Sequence, residues 1–319
     1  MMSRESIESL IISCLNSIYE ETNIDAINNK EKDNGLNLSK VSNKEEEDLM
    51  YSIVIPNLKT QATKNSDLML HSLVVAYLSS RIVDLLVSKK LLENNGVLDK
   101  EKFKYYLTIG SLLHDYGKVC WESDLFERKS LGTNDWNVIK NHPIIAYNIL
   151  KTIFVKRYKK VTLSSLLVLR VILLHHKNYD WGGYPKMKEL ISSSSDILNF
   201  ESLREELVHF NNYKLNINTI GSPPLEVRIV RITDSLAAMI EGRVYKRKTE
   251  GVALPLKEAI DNLKRTQEAS IEKGEIIYDP QILSVLLNGE DYLNWKYKEF
   301  ITKCGYVKNE VAKGMSELL

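Results

Sequence analysis

The stretch from Leu166 to Leu174 is apolar at every position except Arg170, and it ends on two adjacent histidines, His175-His176. A helix with this composition has no polar face to turn to water, so other helices must surround it at the centre of a core. Its last two residues are out of keeping with that setting. Neutral imidazoles need hydrogen-bond partners and charged ones repel each other, so the pair points to a site rather than to packing. Other segments with apolar residues at helical spacing recur along the 319 residues, and only seven prolines interrupt them. The expected class is therefore all-α.

Ile7, Leu10, Ile11, Cys14, Leu15, Ile18 and Tyr19 recur at helical spacing and predict an amphipathic helix that docks on the main domain or on a second copy of the chain. Its polar face carries acids rather than Lys and Arg, which disfavours a membrane surface. Residues 24–48, rich in Asn, Lys, Glu and Ser, predict a solvated linker. The chain thus divides into an N-terminal helix with its linker, 1–60, and a main domain, 61–319, which carries an insertion at about 186–224. Within the main domain, Leu70, Val74, Leu78, Ile82 and Leu85 mark the stripe of a helix over 66–89, and the next helix covers 101–114. Thr133-Asn134-Asp135 is a helix start. Further helices are predicted over 162–176 and 225–242, from Pro255 onward, and near 280–288 and 291–304. Between them, Trp181-Gly182-Gly183-Tyr184-Pro185 turns the chain sharply, because two glycines adopt dihedrals closed to other residues and Pro185 bars immediate helix continuation.

Chemistry-bearing residues fall at the ends and faces of these helices. His114-Asp115 closes the apolar end of one helix, followed by Tyr116-Gly117-Lys118. Such a pair can hold two metal ions side by side, the imidazole binding one and the two carboxylate oxygens bridging both. Asp67 and His71 are four apart and share a helix face. His142 precedes Pro143 inside a predicted helix. Asp234 sits among Val230, Ile232, Leu236, Ala237 and Ala238, where a carboxylate is costly unless it is paired or bound to a cation. Five of the six histidines stand at positions that would build one site, and the sixth, His209 in the insertion, reads as structural.

Composition narrows the partners. Lys plus Arg is 43 and Asp plus Glu is 42, so no global charge draws the chain to nucleic acid or acidic membrane. Cys14, Cys120 and Cys304 are far apart with no CxxC spacing, which predicts reduced thiols in a cytoplasmic protein and no zinc knuckle. No stretch of eighteen apolar residues predicts a membrane span, and Arg4, Glu5 and Glu8 are unlike a signal peptide.

Taken in order, His71, His114-Asp115-Tyr116-Gly117-Lys118, His142-Pro143, His175-His176, Gly183-Tyr184-Pro185 and Asp234 resemble the HD-GYP domain, the subgroup of HD-superfamily metal phosphohydrolases that degrades cyclic dinucleotides. The resemblance runs from about residue 65 to about 290 and includes Leu131 to His142, Arg228-Ile229, Arg243, Tyr245 and Tyr278-Asp279-Pro280. It implies an HD-domain helical bundle with a short N-terminal helical extension. It also implies two or three divalent ions, iron or manganese, held by His71, His114, Asp115, His142, His175, His176 and Asp234, with Asp115 bridging. Asp67 matches the place where some members use Glu for a third metal. Imidazole and carboxylate donors without Cys suit octahedral ions rather than structural zinc. A hydroxide bridging two metals would supply the nucleophile for phosphodiester hydrolysis at neutral pH. Lys118 is placed to neutralise a non-bridging oxygen, Arg243 and Lys246 resemble the family's phosphate-binding residues, and Tyr184 shapes the site or contacts substrate.

The expected reaction opens cyclic di-GMP to the linear dinucleotide and leaves continuation to GMP open, with cyclic GMP-AMP as a variant substrate. The chain departs from the family pattern at four places. Lys177 replaces Glu after the histidine pair, and Trp181, Ala237 and Val244 stand where Gly, Asp and Pro are frequent. Trp181 is positioned to stack on a guanine base. Two further readings stay open: an HD phosphohydrolase acting on nucleotides or single-stranded nucleic acid, and a non-catalytic domain that senses a cyclic dinucleotide or binds a partner protein. A homodimer or protein partner through the N-terminal helix also stays open.

Overall fold

The computed structural model describes residues 11–12, 14–16, 49–97, 99–126, 128, 130–159, 163–186, 221–241 and 253–300. The linker at 24–48, residues 187–220 of the insertion with His209, and Arg243, Val244, Tyr245 and Lys246 lie outside the described residues. Within them the fold is an all-α bundle with no strand, and its one β-bridge joins Lys177 to Gly183.

A π-helical turn, Met50–Val54, leads into α1, Ile55–Lys64, whose first turn carries Pro56, where the missing N–H costs nothing. Asn65 separates α1 from α2, Ser66–Ser88: it is extended, and its Oδ1 accepts from the Asp67 and Leu68 amides at 2.8 and 3.3 Å. A single turn, Leu91–Asn94, precedes α3, Lys100–Leu113, whose N-cap Asp99 accepts from the Lys102 amide at 3.0 Å. The long helix α4, Thr133–Tyr158, begins where Asp135 Oδ2 accepts from the Gly132 amide at 2.8 Å. The remaining helices are α5, Leu163–Leu174, α6, Leu225–Glu241, α7, Leu256–Ile271, and α8, Pro280–Asn288, followed by helical residues 290–300.

Helices α2, α3 and α5 form the centre. α5 packs against α3, α4 and α6, as its all-round apolar composition requires. Its charged core residue, Arg170, is 3% exposed and forms an ion pair with the buried Glu226 of α6. The predicted stripe of α2 understates its burial. Val74, Leu78 and Ile82 are buried, Leu70 and Leu85 only partly, and Met69, Leu73, Ala76, Tyr77 and Val83 are buried as well. The reason is that α1, α3, α6 and α8 all pack on α2. By length and composition α2 is also the one described helix able to cross a membrane, but 78% of its most apolar window is buried inside the bundle, as expected of a core helix. Ile11, Cys14 and Leu15, from the predicted N-terminal helix, are buried in this same core. At the far end, the Tyr77 hydroxyl donates to the Lys296 carbonyl at 2.7 Å and its ring stacks on Phe300, docking residues 290–300 onto α2.

Candidate metal centre

Two helix ends and three helix faces converge at one end of the bundle. His71 comes from the first half of α2. His114 caps the C-terminus of α3, and Asp115 and Lys118 follow in and before a tight turn, Tyr116–Cys120. His142 projects from α4, His175 and His176 follow the end of α5, and Asp234 lies on α6. Gly117 makes the convergence possible: a Cβ there would sit 2.1 Å from the His142 carbonyl oxygen, so only glycine lets the turn lie against α4. Gly183 does the same for the histidine pair, with φ +74° and a would-be Cβ 2.1 Å from the His176 carbonyl oxygen. The Asn178 amide donates to the Gly182 carbonyl at 3.1 Å, closing the turn, and the Tyr184–Pro185 peptide is cis.

Asp115 is 1% exposed and sits at the focus. Its Oδ1 lies 3.0 Å from His142 Nε2 and 3.8 Å from His175 Nε2, and its Oδ2 lies 3.4 Å from His114 Nε2 and 3.6 Å from His71 Nε2. Asp234 Oδ1 is 3.0 Å from His71 Nε2 and 3.9 Å from His114 Nε2, while its Oδ2 is 3.6 Å from His176 Nδ1. Donor atoms form two groups, Asp115 with His142, His175 and His176, and His71 with His114 and Asp115, each within 4.8 Å. Asp115 belongs to both, the position of a bridge.

Three of the histidines have their outer nitrogen tied down by the local backbone. Nδ1–H of His114, His142 and His175 donates to the carbonyls of Ser111, Ile139 and Ile172 at 2.6, 2.6 and 2.8 Å. At the ends of α3 and α5 such carbonyls lack a helical partner. Inside α4 the same condition is created by Pro143, which has no N–H to offer the Ile139 carbonyl four residues back. The His-Pro pair therefore sets a tautomer: with Nδ1 protonated, Nε2 turns its lone pair to the centre.

Burial pushes the pKa values of His142, His175 and His176 down, and the neighbouring imidazoles push those of His175 and His176 further. For Asp115, burial alone would push the pKa up, but Lys118, His114 and His142 outweigh it and hold the carboxyl well below its usual range. The centre is thus a carboxylate beside three uncharged imidazoles, those of His142, His175 and His176. His142 Nε2 and His175 Nε2 face each other at 3.2 Å, and His114 Nε2, Asp115 Oδ1 and His176 Nε2 are buried without a hydrogen bond. Lone pairs directed at one another, with buried donor atoms left unsatisfied, fit a cation site.

Lys118 pairs with Asp115 Oδ2 and lies 5.5 Å from the Trp121 ring centre, whose edge in turn approaches His142. The Tyr184 ring lies 4.3 Å from that of His176. Two predicted residues are not gathered in. Asp67 is exposed on the first turn of α2 and belongs to neither donor group, and Trp181 gives its indole N–H to the Gly221 carbonyl at 2.5 Å with no ring contact to a site histidine. Sequence reasoning missed two others on α6. Glu241 Oε2 accepts from His71 Nδ1 at 2.8 Å. Arg231, one turn before Asp234, donates to Ser235 Oγ at 2.7 Å and to Asn178 Oδ1 at 3.3 Å, and lies over the Tyr278 ring. Both share the Asp234 face by helical spacing, which was the available signal.

Comparison with known proteins agrees with this geometry. The chain is 27% identical over 192 residues to the cyclic di-GMP phosphodiesterase response regulator RpfG of Xanthomonas campestris pv. campestris, covering 60% of this chain and 38% of that protein. It is 32% identical over 115 residues to the cyclic di-GMP phosphodiesterase PdeB of Borreliella burgdorferi, covering 35% of this chain and 28% of the relative. The chain thus spans well under half the length of these two curated relatives. The HD domain model matches residues 69–239, a span that contains both donor groups and more than half of the sequence, and the chain belongs to the HD domain family.

Proposed function

We propose that the protein is a metal-dependent phosphodiesterase that hydrolyses a cyclic dinucleotide, cyclic di-GMP foremost, to the linear dinucleotide. The reading rests most on the convergence of Asp115 with buried, uncharged imidazoles around unsatisfied donor atoms. The names of the two relatives favour this substrate class. His71, His114, Asp115, His142, His175, His176 and Asp234 would hold the ions, iron or manganese, with Asp115 shared between them. Bound there, the ions supply an easily deprotonated water and neutralise phosphate charge. Hydrolysis adds water across one P–O3′ bond: the water oxygen joins phosphorus, the 3′ oxygen leaves as a hydroxyl, and one proton is released to solvent.

The chain's own residues orient and charge-balance this step. Lys118, held against Asp115, presents its ammonium at the carboxylate edge, next to where a phosphate oxygen must sit. Among the described residues Arg231 has neutral partners, Asn178, Ser235 and the Tyr278 ring, so its charge is available to a second phosphate. Tyr184 closes the histidine side of the site. Lys177, 2% exposed, stands where the family has Glu, and Ala237 is fully buried where it often has Asp, and these two changes favour the non-catalytic sensor as the second reading.

The deciding experiment loads metal-free protein anaerobically with iron or with manganese, then supplies cyclic di-GMP, cyclic GMP-AMP and single-stranded DNA and resolves the products. Turnover of a cyclic dinucleotide, lost in Asp115→Ala, is the expected result. Binding without turnover under every metal would establish the sensor in its place, and cleavage of the DNA would move the protein to another HD activity.

A further inference from the structure

His71 differs from the other tethered histidines. Nδ1–H of His114, His142 and His175 goes to a main-chain carbonyl three residues back, whereas His71 Nδ1 meets the carboxylate of Glu241, 170 residues away in sequence, at 2.8 Å. We propose that Glu241 is a positioning residue for cation binding: it accepts the hydrogen bond from Nδ1–H of His71, commits Nε2 to the centre as an unprotonated donor, and raises its basicity.

Three features support the assignment. His71 Nε2, the nitrogen opposite the Glu241 contact, is the one that faces the cage, 3.0 Å from Asp234 Oδ1 and 3.6 Å from Asp115 Oδ2. The order carboxylate, imidazole, cation is how outer partners of metal-bound histidines fix the tautomer and strengthen the donor. Glu241 also lies seven residues after Asp234, on the same face of α6, so one helix places a carboxylate opposite each nitrogen of this imidazole. Finally, Glu241 closes α6, where the helix dipole disfavours an acid, and its Oε1 is buried without a hydrogen bond. His71 is the only hydrogen-bonding partner of this carboxylate among the described residues, and it offsets that unfavourable placement. No other tethered histidine of the cage has a charged outer partner, so the His71 position is the one whose strength a carboxylate tunes.

The proposal rests on the cage being a cation site, and the test separates the two. Mn(II) is titrated calorimetrically into the metal-free full chain, the wild type beside E241Q and E241A, with the melting temperature of each metal-free protein measured alongside. E241A is expected to bind Mn(II) about 10–100-fold more weakly. E241Q, which keeps an acceptor for Nδ1–H but no charge, should fall between E241A and wild type. A merely structural Glu241 would lower the metal-free melting temperature and leave the affinity within twofold of wild type, and that result overturns the proposal. Should E241A fail to fold, E241Q within twofold of wild type overturns it equally. A wild-type chain that takes up no Mn(II) would remove the cage reading and this one together.

Discussion

Asp115 stays ionised in the interior because the Lys118 ammonium foremost compensates its burial, while His142, His175 and His176 stay uncharged because burial penalises their cations. Linkage gives these two shifts separate pH windows. A histidine whose folded pKa is depressed is fully stabilising above its unfolded value, about 6.5, and loses that contribution as pH falls toward the folded pKa, because the unfolded chain takes up the proton first. The Asp115 contribution is lost only further down, below the unfolded carboxyl value of about 3.9. Metal-free protein should therefore lose melting temperature steadily from pH 7 to pH 5, before any carboxylate of ordinary pKa titrates, and a flat profile over that range would contradict buried neutral imidazoles. On the proposed function, Arg231→Ala should raise KM for the cyclic dinucleotide roughly tenfold or more, the size of a lost charge-assisted hydrogen bond, with kcat less affected. Steady-state kinetics on the manganese-loaded enzyme checks the split.

At the scale of elements, the site depends on where helices stop and how closely two backbones approach. Gly117→Ala would drive a methyl into the His142 carbonyl, which no side-chain rotation relieves. We expect a loss of about 2–4 kcal/mol in urea unfolding together with a drop in bound metal. Pro143→Ala separates stability from function. It removes a proline from the interior of α4, worth up to about 3 kcal/mol of helix stability, but its new N–H competes with His142 Nδ1–H for the Ile139 carbonyl. The expected outcome is a melting temperature that holds or rises while Mn(II) affinity falls about tenfold or more. An unchanged affinity would show that the proline serves only the path of α4.

For the whole molecule, the central position of α2 and α5 means that the site sits on the end of the core rather than in a cleft between lobes. The N-terminal residues Ile11, Cys14 and Leu15 belong to that core. Leu15→Ala should then cost about 2–5 kcal/mol in urea unfolding, as for any buried leucine, and a change near zero would return this helix to the role of a partner-binding surface. Metal should stabilise the bundle as a unit, since the proposed ligands come from α2, α4, α6 and the ends of α3 and α5. At a hundredfold excess over Kd the gain is about 2.7 kcal/mol per site by mass action, read as a rise in melting temperature on Mn(II) addition that a chelator reverses.

Helices α2 to α8 were legible in the sequence because their signals are local: apolar period throughout, Thr133-Asn134-Asp135 at the start of α4, and Pro255 before α7, whereas α1 was not read. The convergence of five histidines with Asp115 and Asp234 was legible because each stands where a helix ends or turns a polar atom into apolar surroundings. Other features depended on contacts between residues far apart in the chain, which no local pattern encodes. Those are the all-round burial of α2, the pairing of Arg170 with Glu226, the exposure of Asp67, the turning of the Trp181 indole to Gly221, and the grip of Glu241 on His71. Side-chain type and spacing decide which face of a helix a donor occupies, but only the packing of that face against its neighbours decides which donors meet.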